Sequence, residues 1–184
     1  MKLRFLTKNP HKAEEVAAIL EGTGISVVHA PIEIHEIQTE DIDAIVRDKA
    51  IKAFHIIGRP VFIEHTGLYI DTLKGFPGGL TQVLWDKLQA DRFSELLGKL
   101  DPPTLTAKTV IAYCDGRKIH TFTGEIGGRI AQEPKGNRAF QWDCVFIPDG
   151  YNKTFAELGA EKNEISMRRR AFDEFSDFLK KAHA

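Results

Sequence analysis

Three polar residues of different chemistry, Glu64, His65 and Thr66, follow directly on the apolar run Val61-Phe62-Ile63 and precede Gly67. A carboxylate can bind a cation, an imidazole can exchange a proton near neutral pH, and a hydroxyl can donate to an anion. The apolar run has the β-branched and aromatic content of a buried strand, which is expected to end at the polar triad. Ligands in α/β proteins gather where strands end, so the triad is a candidate site. Gly75, Pro77, Gly78 and Gly79 punctuate the loop beyond it. The plainer reading of residues 60–85 is a strand, a polar turn and a glycine-rich connection.

A second polar stretch, Thr7-Lys8-Asn9-Pro10-His11-Lys12, separates a short apolar run from a helical pattern carrying Val16, Ile19 and Leu20. Amides at a helix start point outward and favour anions, and Lys12 adds a full charge. An ordinary strand-to-helix cap accounts for the same residues, because no Walker or dinucleotide glycine signature is present. Phe140 and Trp142, beside Asp143, read most simply as core aromatics on a strand. Arg168-Arg169-Arg170 is a basic run of only three residues, the usual pattern of a solvated helix face.

The elements that must position these groups follow from local pattern. Residues 3–6 and 25–29 read as strands. Residues 41–57 show the three-four apolar spacing of an amphipathic helix, stopped by Gly58. Residues 80–88 and 91–100 read as two helical pieces, and residues 105–113 and 118–125 as a hairpin turning at Asp115-Gly116. A last helix is expected over residues 161–181. The 184 residues are 42% hydrophobic and 28% charged, and they suit one domain, 1–184. A formal net charge of −1 gives no basic field for a nucleic acid. No apolar run approaches the roughly 20 residues that span a bilayer. Neither a signal-peptide pattern at the N-terminus nor a metal or disulfide pairing of Cys114 and Cys144 is evident, so a cytoplasmic protein is expected.

Four motifs, taken in order, resemble the inosine triphosphate pyrophosphatase (Ham1-like) family over nearly the whole chain. Thr7, Asn9 and Lys12 match its opening Thr-x-Asn-x-x-Lys, and Glu36 with Gln38 match a Glu-x-Gln. Glu64, Thr66, Gly67, Leu68, Gly75, Pro77 and Gly78 match its central motif. Phe140, Trp142, Asp143, Pro148, Asp149, Gly150, Thr154, Ala156 and Glu157 match the third. The run from Glu161 to Arg168 matches the fourth, and Lys49 falls on a lysine often found in the family. Functional positions depart from the pattern. His65 stands where the family has its catalytic aspartate, and Met167 where it has a histidine. Ala139 and Gln141 replace glycines, and Cys144 replaces a proline.

The resemblance implies an α/β fold, a mixed central sheet with flanking helices, and two lobes with a nucleotide cleft between them. It implies a homodimer that cleaves ITP, dITP or XTP to the monophosphate and pyrophosphate, with Mg²⁺. By position, Thr7, Asn9, Lys12 and Thr66 would grip phosphate, while Phe140, Trp142, Asp143, Lys162 and Arg168 would meet the base. Glu36, Glu64 and His65 would serve the metal, and Glu64 and His65 the chemistry. Because His65 offers nitrogen and no negative charge, three outcomes stay open: a histidine base, a shift toward Mn²⁺ or another divalent metal, or a catalytically weak nucleotide-binding or regulatory protein.

Overall fold

The computed structural model describes residues 2–182. Its sheet is mixed, with strand order β2-β1-β3-β5-β6-β7 and a short β4 on β3. The first two strands, β1 (Lys2–Leu6) and β2 (Ser26–Ala30), run parallel and are joined through α1 (Pro10–Ile19). Helix α2 (Ile42–Ile57) then leads to β3 (Val61–Ile70), which lies parallel to β1. Beyond β3 the pairing is antiparallel, through β4 (Pro77–Gly78), β5 (Thr104–Cys114), β6 (Ile119–Ile130) and β7 (Phe146–Pro148). Helix α3 (Thr81–Leu97) lies between β4 and β5, and α4 (Phe155–Leu158), α5 (Lys162–Ile165) and α6 (Met167–Ala182) close the chain.

Three apolar clusters hold this sheet between its helices. Val46, Ala50 and Ala53 of α2 pack with Val61 and Ile63. Val16 and Ile19 of α1, with Phe172 and Phe175 of α6, pack around Phe5 and Phe62 in a second cluster. Those two rings stack with centroids 4.8 Å apart. The third cluster gathers α3, Trp142, Phe146 and Phe155 toward the other end of the sheet. Among the described residues no helix is long and apolar enough to cross a membrane.

Helix α2 forms where its spacing predicts, with the Asp41 carboxylate accepting from the amides of Asp43 and Ala44 at 2.9 and 3.1 Å. The break expected between residues 88 and 91 is a kink at Gln89, with φ 54° and ψ 178°, inside α3. Two expectations are corrected. The strand does not end at Glu64: β3 continues to Ile70, because β5 pairs with it from Val61↔Cys114 to Ile70↔Leu105. Its polar triad is tolerated there because each side chain finds a polar partner. The last helix is not continuous from residue 161. Ser166, with φ −65° and ψ 158°, leaves the helix, and its Oγ accepts from the Arg169 amide at 3.1 Å to cap α6.

Candidate functional site

Successive side chains of a strand point to opposite faces, and β3 uses this to separate its triad. Glu64 meets Lys12 of α1 and Arg168 of α6, whereas His65 turns to the Gly79 carbonyl and Glu36. Close backbone approach makes room for the second arrangement. A Cβ at Gly67 would lie 2.5 Å from the Gly78 oxygen, and one at Gly79 would lie 2.5 Å from both Ile45 and the Thr39 oxygen.

A cavity of about 600 Å³ is lined by Thr7, Asn9, Lys12, Glu36, Glu64 and Gln141 among others. Thr7 Oγ1 accepts from the Asn9 amide at 3.1 Å, and Asn9 Oδ1 caps α1 by accepting from the Lys12 amide at 3.3 Å. Three lysines meet three carboxylates here: Lys8 with Glu33 and Lys49 with Glu36, both at 2.5 Å, and Lys12 with Glu64 at 2.6 Å. Burial lowers the Lys12 pKa against the pull of Glu64. Burial alone would raise Glu64, but Lys12 and Arg168 hold its carboxyl far below the usual range.

A second cavity, of about 510 Å³, is lined by His11, Glu15, Phe140, Asp143, Lys162 and Asn163 among others. Lys162 Nζ is the hub of this cavity, 2.6 Å from Asp143 Oδ2, 3.2 Å from Glu15 Oε1 and 4.2 Å from the Phe140 ring centroid. Burial pushes Asp143 up to about 6, with Lys162 opposing the shift. Its other oxygen, Oδ1, is buried with no hydrogen-bond partner among the described residues. Both cavities are lined from α1, by Lys12 in one and Glu15 in the other, and by the chain neighbours Gln141 and Phe140 respectively.

Not every residue singled out from the sequence lines these cavities. Arg168 is only 1% exposed and lies beneath them. Its guanidinium donates to Glu15 and Glu64, and to Thr66 Oγ1 at 3.4 Å. Thr66 is engaged below the cleft as well, with Glu64 Oε2 at 3.1 Å and Thr109 Oγ1 at 2.7 Å. Trp142 is core rather than base pocket, packed edge-on to Phe146 at 5.7 Å, and Met167 is fully buried in the same cluster. Glu15, which bridges Lys162 and Arg168, was missed. Its one signal is a place three residues after Lys12, on the same helix face.

A model described as the Ham1 family matches residues 3–178. The chain belongs to the Ham1 family. A relative from Thermococcus kodakarensis named dITP/XTP pyrophosphatase is 37% identical over 181 residues, 98% of each chain. One of the same name from Methanopyrus kandleri is 38% identical over 183 residues, 98% of this chain and 97% of its own. The fold is shared with a HAM1 protein from Coxiella burnetii, with a TM-score of 0.79 at 24% identity over 98% of this chain and 99% of that one. A Mycobacterium abscessus structure titled nucleoside-triphosphatase / dITP/XTP pyrophosphatase has a TM-score of 0.70 at 25% identity, over 95% of this chain and 98% of its own.

Within this Ham1 fold the geometry defines the state of His65. Its Nε2 lies 3.0 Å from the Gly79 carbonyl, which can only accept, so the proton sits on Nε2. Nδ1 is left with its lone pair 3.6 Å from Glu36 Oε2. Burial, with Lys49 beside it, lowers the imidazole to about 4 against the pull of Glu36. The folded protein thus keeps the ring neutral while the unfolded chain takes up a proton near 6.5. His65 therefore costs stability progressively as pH falls from 6.5 toward 4. In metal-free protein, nitrogen-detected NMR is expected to show an Nε2–H ring titrating with a midpoint of about 4. A midpoint near 6.5 would show that neither burial nor Gly79 governs the ring.

Among the described residues no group of three or more His, Cys, Asp or Glu is placed to hold a metal unaided. The donors that remain are Glu36 Oε2, whose sister oxygen holds Lys49, and His65 Nδ1. These residues fit a divalent cation that takes its other ligands from phosphate and water; the carboxylate suits Mg²⁺, whereas the imidazole nitrogen suits Mn²⁺ or a later metal better.

Proposed function

We propose that this chain hydrolyses non-standard purine nucleoside triphosphates such as ITP, dITP and XTP to the monophosphate and pyrophosphate. The observation that carries this reading is Asp143 Oδ1, a buried acceptor without a partner among the described residues, in the cavity that the Phe140 ring lines. A 6-oxopurine stacked on that ring presents N1–H as a donor and O6 as an acceptor. The first suits Asp143 and the second Lys162, whose ammonium can only donate. Adenine reverses both edges, leaving Asp143 facing a lone pair. The names of the two archaeal relatives support the same substrate class.

The remaining roles follow from charge. A triphosphate entering the larger cavity draws Lys12 and Lys49 from their carboxylates, while the amides at the start of α1 face the phosphates. Glu36 and His65 would hold a divalent cation, Mg²⁺ or Mn²⁺, and that ion supplies charge neutralisation on the phosphates. Glu64 holds Lys12 in position until the phosphates take it, and keeps Arg168 as its partner afterwards. The single lone pair of His65 Nδ1 serves either the cation or the water at a time: left off the cation, which Glu36 and the phosphates then hold, it takes the proton of the attacking water. With a pKa of about 4 it is as weak a base as an ordinary carboxylate, and it lacks the negative charge. That last point favours a second reading, a nucleotide-binding protein of weak catalysis. A homodimer in the reducing cytoplasm completes the proposal, and the buried free thiols of Cys114 and Cys144 suit that compartment.

The test measures pyrophosphate release from ITP, dITP, XTP, GTP and ATP with Mg²⁺ or Mn²⁺, for wild type and His65→Asp. Release from ITP and XTP is expected to exceed release from ATP. His65→Asp is expected to raise the Mg²⁺-dependent rate about tenfold, or about 1.4 kcal/mol of barrier, by adding an anionic oxygen ligand. ITP bound by both proteins and cleaved by neither would replace the enzyme with the binding protein.

A further inference from the structure

Gln141 holds a backbone φ of +40°, in the left-handed region that costs energy for any residue but glycine. Such a conformation persists only where its surroundings impose it, and here the side chain has a definite engagement. Its amide nitrogen donates to Gln82 Oε1, and Gln82 Nε2 donates in turn to Asp86 Oδ1 at 2.6 Å. An ionised carboxylate only accepts, so Asp86 determines which way the Gln82 amide faces, and Gln82 determines the next. The relay ends at Gln141 Oε1, an acceptor that no donor among the described residues meets. Gln82 and Gln141 both line the larger cavity, and Phe140, one residue before, lines the smaller.

A nucleotide with its base on Phe140 and its phosphates at Lys12 must carry its sugar past Gln141. We propose that the Asp86–Gln82–Gln141 relay reads the sugar. Gln141 Oε1 accepts from the 2′-hydroxyl, so the chain favours ribonucleotides over 2′-deoxyribonucleotides. This inference rests on reading the two cavities as one nucleotide site. A single neutral hydrogen bond of this kind is expected to favour ITP over dITP by roughly 3–10-fold.

The experiment compares ITP with dITP, as kcat/KM and as Kd by titration calorimetry, in wild type, Gln141→Gly and Gln82→Ala. Gln141→Gly relieves the φ strain, so its fold is not at risk. In that variant the ITP/dITP ratio is expected to fall to about 1, since the bond that makes the roughly 3–10-fold preference is gone. Gln82→Ala frees the Gln141 amide to turn and is expected to give an intermediate ratio. A ratio of 1 in wild type, or one unchanged in Gln141→Gly, overturns the sugar reading and leaves the nucleotide site standing. Binding of neither nucleotide by calorimetry overturns both.

Discussion

Arg168→Ala is expected to destabilise the fold by about 3–5 kcal/mol, the range for breaking a buried ion pair from one side. For a chain of this size that lowers Tm by roughly 6–20 °C. The reason is the position of the guanidinium, which is 1% exposed and lies between the buried carboxylates of Glu15 and Glu64. Removing it leaves two anions in the interior, with only Lys162 and Lys12 to answer them. Adding Glu15→Gln to the mutant should recover part of the loss, because one stranded anion is then gone while Glu64 keeps Lys12 and Lys162 keeps Asp143. The acid side carries a further signature. Glu64 is held below its ordinary 4.5, so its ion pairs contribute fully above that pH and are lost as pH falls below it. Without Arg168 that acid dependence should flatten. Urea denaturation across pH measures both effects. A mutant that melts like wild type but binds ITP weakly would return Arg168 to the base edge, where the family resemblance puts it.

Lys12→Ala is expected to weaken ITP binding about 100-fold, near 2.7 kcal/mol, while inosine binding changes less than twofold. Its ammonium lies at the cleft, 18% exposed, and is 2.6 Å from Glu64. An arriving phosphate therefore meets a cation already in place at the start of α1, where charge-assisted hydrogen bonds are strongest. Calorimetry with the two ligands decides the matter. Equal losses for nucleotide and nucleoside would take Lys12 out of the phosphate site. A denaturation curve of the same mutant separates any effect on Glu64, which keeps Arg168 as a partner.

Local signals made much of this protein legible in its sequence. Helix α2 has apolar spacing and an aspartate cap, and the β5–β6 hairpin has β-prone strands around Asp115-Gly116. Both depend on neighbours within a few residues, so pattern reading suffices. The Thr7-Lys8-Asn9-Pro10-His11-Lys12 loop belongs to the same class, since a strand end and a helix cap bring its groups together. The family motifs added the remaining candidates by position.

Only the tertiary structure decided what those candidates touch. Glu64 and Arg168 meet across 104 residues of chain, and Glu15 and Arg168 across 153, distances at which no periodicity speaks. The β3 strand runs on through its polar triad because partners from α1, α6 and the Gly79 turn satisfy the buried groups. Trp142 and Met167 sit beside functional positions in sequence and yet fill the core, since one step along a helical turn rotates a side chain by roughly 100–120°. A motif names residue types and their order. Which of them face a cavity and which lie beneath it is settled by desolvation, because a buried charge must find its counter-charge wherever in the chain that lies.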